Sequence, residues 1–292
     1  MEALVGLSAT EALMIIARAG LYLAALVTAG SLLVAWLLPR LPGSESRLLK
    51  VLVPSAAGVT VVFALAGVAL QAVFLGGDDW GAALDPSLLT LALSGTTGES
   101  MLVLVIGLVL ALGIGFSGAI GAILAALSAV AIAASFALTG HPRGADGWLL
   151  VGLVSLHWLL LAFWVGIFIP LYRASGYDTG HAARLARDFG RRALVAVPVL
   201  AVAGAMTLHQ LTGGLPAVMD IAYGQLFAVK LALFAGALLL AARNRLSLTP
   251  ALERGDAMAG GRMRRSLGWE GLLIIGVLLV TATITTLTAP PM

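Results

Sequence analysis

The sequence predicts an all-α fold: a polytopic membrane bundle of about eight transmembrane helices, with both termini on the periplasmic side. Three observations predict it. The chain of 292 residues is 60% hydrophobic and only 11% charged, with a mean hydropathy of +1.05. A soluble domain is typically about 25% charged, so this chain has too few polar residues to cover a water-facing surface. Its apolar residues fall into runs that match the roughly 20 residues needed to cross about 30 Å of hydrocarbon. Finally, its basic residues are segregated by loop, as topogenic charges are.

Apolar runs read against breakers place the spans at roughly 12–38, 51–75, 98–115, 117–139, 148–171, 190–211, 222–242 and 268–288. The opening MEALVGLSATEALMIIARAG carries Glu2 and Glu11 and lacks the basic region of a cleaved signal peptide, so the first run is expected to remain as a helix. Only the glycine-rich GIGFSG turn (113–118) divides the third span from the fourth. Read as one, 98–139 would make about 63 Å of helix at about 1.5 Å per residue, twice the bilayer, so two helices and a tight turn are predicted. Gly113, Gly115 and Gly118 also spell the dinucleotide fingerprint G-x-G-x-x-G. That motif requires a preceding strand in a soluble βαβ unit, and here the turn reading wins. The chain divides into an N-terminal four-helix membrane half, 1–139, and a C-terminal one, 140–292.

With eight spans both termini share one side, and charge decides which. The connections on the opposite side hold every one of the 17 basic residues except Arg18, Arg143 and Lys230. The terminal side holds Glu2, Glu11, Asp78, Asp79, Asp85, Glu99, Asp146 and Asp220. The positive-inside rule then places both termini outside, in a periplasm or its equivalent. The net charge of +3 and pI near 9.7 are thereby topogenic, with no nucleic-acid signal. An acidic outer face raises the local concentration of cations. The absence of cysteine from the sequence excludes disulfides, thiolate metal sites and iron–sulfur clusters. Soft-metal chemistry must therefore use the four His and eight Met. No P-loop, H-E-x-x-H or G-x-S-x-G is present, and no nucleophile–base pair is legible, so no enzymatic activity is expected.

The sharpest functional signal lies in GHPRGADGWLLVGLVSLHWLLLAFWVGIFIPLY (140–172). His157 sits about ten residues beyond Gly147, roughly 15 Å down a helix and near mid-membrane. An ionisable side chain there is a functional candidate by default, set against a neutral imidazole that glues two helices by a hydrogen bond. Met206 and His209 are three apart near the outer end of the sixth span and so share a helix face. Thioether and imidazole suit copper, the thioether favouring Cu(I), although Met is also a common packing residue. His141, in TGHPRG, is either an outer entry ligand or a solvated residue complementing a helix C-terminus. His181, among arginines, reads as an ordinary surface residue. Lys230 can snorkel, pair with Asp220 or Glu99, or line a path; a cation beside a cation route is repulsive, so a structural pairing is expected. Trp36, Trp80, Trp148 and Trp269 mark span ends as an aromatic belt does; Trp158 and Trp164 lie inside the fifth helix.

Residues 138–250 resemble the copper resistance protein D (CopD) family of inner-membrane proteins. The resemblance rests on LTGH (138–141), SLHWLLLAFWVG (155–166), FGRRALVAVPVLAVAGAM (189–206), AYGQLFAVKLALF (222–234) and ARNR (242–245), in family order. It implies a bacterial inner-membrane protein that handles copper, taking it inward from the periplasm, with His157 and His141 as copper-site histidines. The expected metal set is His157, His141, His209 and Met206, with copper as Cu(I) or Cu(II) and the lipid bilayer as partners. A periplasmic copper chaperone is a further candidate partner, for which the protein would be a non-transporting scaffold. The rival reading is a haem b-binding electron-transfer bundle with two axial histidines. There His157 and His209 differ in depth by roughly 10 Å of helix rise, which disfavours them as a pair.

Overall fold

The structure, a computed structural model, describes residues 6–38, 43–139 and 147–288. Among them are eight helices long and apolar enough to cross a membrane. They are α1 (Ala9–Leu37), α2 (Gly43–Leu75), α3 (Thr96–Gly115), α4 (Gly118–Ala137), α5 (Gly147–Tyr177), α6 (Thr179–Thr212), α7 (Ala222–Glu253) and α8 (Ala259–Leu287). The predicted spans recur, but α6 and α8 begin well before 190 and 268, because Arg- and Ala-rich helix formers carry each helix beyond its apolar run.

Local chemistry sets the ends and breaks. Ser8 and Glu11 close a capping box on α1, with hydrogen bonds of 3.1 and 2.9 Å. GIGFSG forms the tight turn between α3 and α4, where Gly118 takes φ +68°, a conformation costly for any other residue. Helix α5 is interrupted at Ile167; Pro170, three residues on, has no N–H to return to Gly166. Helix α7 widens into a π-turn at Asn244–Leu248, where the N–H of Thr249 reaches back to the Asn244 carbonyl. Pro250 cannot donate to Leu246, and the longer hydrogen bond accommodates that loss.

Helix α1 is the hub, packing on α2, α4, α5 and α8, and 56% of its apolar window is buried against 6% in α7. Its tightest crossing is with α5. A Cβ placed on Gly30 would lie 2.0 Å from the Ala162 carbonyl oxygen, and one on Gly166 would lie 2.2 Å from the Gly30 oxygen. The two backbones therefore touch, as small residues allow between membrane helices. Helices α3 and α4 pack similarly, with Ser128 donating to the Gly107 carbonyl at 2.7 Å.

Helices α1 and α8 meet at one end of the bundle, where Arg18 of α1 donates to the Thr285 carbonyl of α8 at 2.5 Å and the Tyr22 hydroxyl lies 3.2 Å from that of Thr285. At the opposite, basic end Arg187 pairs with Glu253 at 2.7 Å, and the Tyr177 hydroxyl donates to Glu45. Two expectations are corrected here. His181 is no surface residue: it is 5% exposed, since it opens α6 beneath its Asp178 cap and packs inward. Lys230 joins neither ion pair found among the described residues; its ammonium sits 5.0 Å from the centre of the Phe227 ring. A carboxylate partner is replaced by a cation–π contact one turn away.

Candidate functional site

The terminal half of the bundle encloses a cavity of about 980 Å³ lined by residues of all eight spanning helices. His157 lines it. The Nδ1–H of His157 donates to the Leu200 carbonyl of α6 at 3.0 Å. A carbonyl can only accept, so this bond fixes the neutral tautomer with its proton on Nδ1 and leaves Nε2 with a free lone pair. The ring fits because α6 carries glycine opposite it: a Cβ on Gly204 would come within 2.9 Å of Cε1 and 3.0 Å of Nδ1. The glue predicted by the bland reading is therefore present. It is also the arrangement that orients a metal-binding imidazole, whose second nitrogen usually bonds a backbone carbonyl or carboxylate.

The rest of the lining is mostly apolar. Trp158 stacks on Phe136 with centroids 4.1 Å apart and a 10° interplanar angle, and Tyr22 meets both edge-on. Two thioethers, Met14 of α1 and Met101 of α3, share the cavity with His157, as do two cations, Arg18 and Lys230; no carboxylate does so among the described residues. Sequence spacing missed both methionines. They belong to different helices, and only packing brings them to one cavity. A signal existed in their register: each lies in the second turn of its helix, at the end of the bundle where α1 begins.

Met206 and His209 are placed elsewhere. Both are exposed, and neither lines the cavity. Their three-residue spacing does put them on one face, but that face turns away from His157. His141 lies outside the described residues. The structure therefore does not bring His157 and His209 together, and no cluster of three His, Cys, Asp or Glu able to hold a metal occurs among the described residues.

Deeper toward the basic end, the second polar feature surrounds Glu270, which is 2% exposed. Trp164 Nε1 donates to its Oε1 and Asn244 Nδ2 to its Oε2, each at 2.7 Å. Sequence reading placed Glu270 at a span end and passed over it. The helix in fact begins about three turns earlier, which carries the carboxyl inside.

Fold and site together define a multi-pass membrane protein built around an imidazole- and thioether-bearing cavity. The chain belongs to the copper resistance protein D family: that family's profile matches residues 183–284, and the profile of the copper resistance protein D-like N-terminal domain matches residues 9–151. His157 falls between the two matched stretches, whereas Met14 and Met101 fall in the first and Gly204, Lys230, Asn244 and Glu270 in the second. No curated protein and no solved structure matches the chain.

Proposed function

We propose that this copper-resistance membrane protein moves copper across the bacterial inner membrane, from the periplasm toward the cytoplasm, through the cavity that holds His157. One observation carries the reading. The Leu200 carbonyl accepts the Nδ1–H of His157, so Nε2 keeps a free lone pair, and His157 lines a cavity that Met14 and Met101 also line. Imidazole with thioethers favours Cu(I) over harder cations. With no carboxylate and two cations in the lining, the site disfavours ions held mainly by charge, such as Mg²⁺ or Ca²⁺. Met206 and His209, exposed near the terminal end of α6, act in this scheme as a collecting pair on the outer face, with His141, which precedes α5 in the sequence, as the expected entry ligand. A periplasmic copper chaperone would deliver there.

The test is copper uptake into proteoliposomes. His157→Ala is expected to lower uptake at least about tenfold, the scale on which metal-site losses register, while inserting and folding like the wild type. Undiminished uptake by a well-folded His157→Ala protein overturns the reading. The Met206→Ala/His209→Ala double variant should raise the copper concentration needed for half-maximal uptake and leave the maximal rate unchanged.

A second reading has one observation in its favour. A volume of about 980 Å³ is far larger than an ion needs and falls in the range of sites for organic ligands. A haem held by His157 and a methionine, with Arg18 and Lys230 against its propionates, would make the protein a membrane electron carrier. A Soret band in the purified protein that disappears in His157→Ala selects this alternative; a colourless protein that binds copper excludes it.

A further inference from the structure

The cavity stops one turn short of the buried carboxyl of Glu270. Ile274, one turn along α8, lines the cavity floor, as do Leu161, one turn before Trp164 on α5, and Phe234, which meets the Trp164 ring edge-on at 5.9 Å. Below that floor both Glu270 oxygens are held by neutral donors, Trp164 Nε1 and Asn244 Nδ2. Among the described residues no charged partner is paired with Glu270. Among the described residues, α1 offers only Glu11 and Arg18, and Arg18 is bonded to Thr285 at the other end of the bundle. On α7, Lys230 lies on the cavity beside Phe227, Arg245 is bonded to the Gly190 carbonyl, Glu253 to Arg187, and Arg243 is exposed. On α5, Arg173 is exposed and the Tyr172 and Tyr177 hydroxyls are bonded to Arg264 and Glu45. On α8 itself Arg262 pairs with Asp256, and Arg264 lies over Tyr172 while Arg265 is exposed. His181 of α6 is buried, but at the first turn of that helix.

A lone carboxyl at this depth is costly when ionised and cheap when protonated, so its surroundings should serve both forms. Asn244 can. Its Nδ2 donates to the carboxylate, and its Oδ1, buried and without a hydrogen-bond partner among the described residues, can accept from a carboxylic acid O–H after the amide turns over. Asn and Gln are the side chains that carry donor and acceptor on one rotor. The π-turn supports that rotor independently: the Asn244 carbonyl takes the backbone N–H of Thr249 and, at 2.9 Å, its hydroxyl, so the side chain can turn without loosening the helix. Single π-turns are frequent at functional sites.

We propose that Glu270 is a proton-exchange site between the copper cavity and the basic face, with Asn244 as the amide that bonds both its ionised and its protonated form. Only the O–H bond of Glu270 forms and breaks; the proton arrives from, and returns to, water on one or other face. Resting on the copper-transport reading, this adds what that reading lacks: a counter-ion whose return offsets the charge of the copper moved.

Two measurements test it, and the first needs no copper. Infrared difference spectra of purified wild-type protein between acid and alkaline pH should contain a carboxylic-acid C=O band that is absent in Glu270→Gln. If the wild type has no such band, or Glu270→Gln keeps it, the proposal is overturned whatever the protein transports. In proteoliposomes carrying an entrapped pH dye, wild-type copper uptake should be accompanied by proton movement and should change several-fold with the pH gradient. Glu270→Gln, a mimic of the protonated form that keeps both hydrogen-bonding atoms, should bind copper like the wild type and lose the gradient dependence. Asn244→Ala should keep the infrared band and shift its midpoint in pH. Copper uptake by Glu270→Gln with the wild-type gradient dependence also overturns the proposal, and leaves the role of His157 standing.

Discussion

Gly204 carries no side chain, and the imidazole of His157 occupies the space one would need. Alanine there would place a methyl group within 3.0 Å of two ring atoms. Alanine is the better helix former by about 1 kcal/mol, so the variant should insert normally while the ring is pushed off the Leu200 carbonyl. Gly204→Ala is thus expected to weaken Cu(I) binding about tenfold, the typical cost of disturbing the group that orients a metal-binding histidine, with little change in thermal stability. A competition titration against a Cu(I) chelator checks it; unchanged affinity would mean that the Nδ1–carbonyl bond has no part in the site. At this scale the sequence was only partly legible. His157 stood out because ionisable residues are rare inside membrane helices. Met206 and His209 stood out through local spacing, which tells which residues share a face but not where that face points. Met14, Met101 and Glu270 carry no local pattern at all, and only packing assigns them partners.

The contact between α1 and α5 depends on Gly30 and Gly166 having nothing but hydrogen atoms to present. Overpacking a close-packed interface usually costs about 1–3 kcal/mol. Here the obstacle is backbone rather than a movable side chain, so Gly30→Ala should fall at or beyond the upper end. Loss of monodisperse protein in detergent, or a lowered unfolding temperature, is the expected readout; Gly58→Ala, on α2 with open space around its Cβ position, is the control that should change neither. Element existence was read correctly from apolar runs and breakers. Element starts were not, because a membrane helix continues past its apolar stretch wherever helix-forming residues follow, as the Arg-rich openings of α6 and α8 show. The π-turn of α7 was equally hidden: Pro250 announces a disturbed helix, but not whether it bends, breaks or widens.

For the whole molecule, the sharpest consequence of the charge segregation is an orientation that experiment can read directly. The chain contains no cysteine, so a single introduced thiol is the sole target for a membrane-impermeant maleimide. Asp79→Cys, at the exposed connection between α2 and α3, should label in intact spheroplasts. Arg191→Cys, on the exposed basic part of α6, should label only after the membrane is opened. The reverse pattern would turn the direction of copper movement around while leaving the cavity chemistry as it stands.

The crossing of α1 and α5 also determines what can move. Where backbone presses on backbone there are no side chains to repack, so these two helices shift as one rigid stator, and the His157 ring travels with them. Helix α7 is different: it is seated chiefly against α8, only 6% of its apolar window is buried, and it carries both Lys230 and Asn244. If copper crosses through the cavity, α7 is the helix expected to move. A cross-link spanning α7 and α8 should stall copper uptake, and one joining α1 to α5 should not.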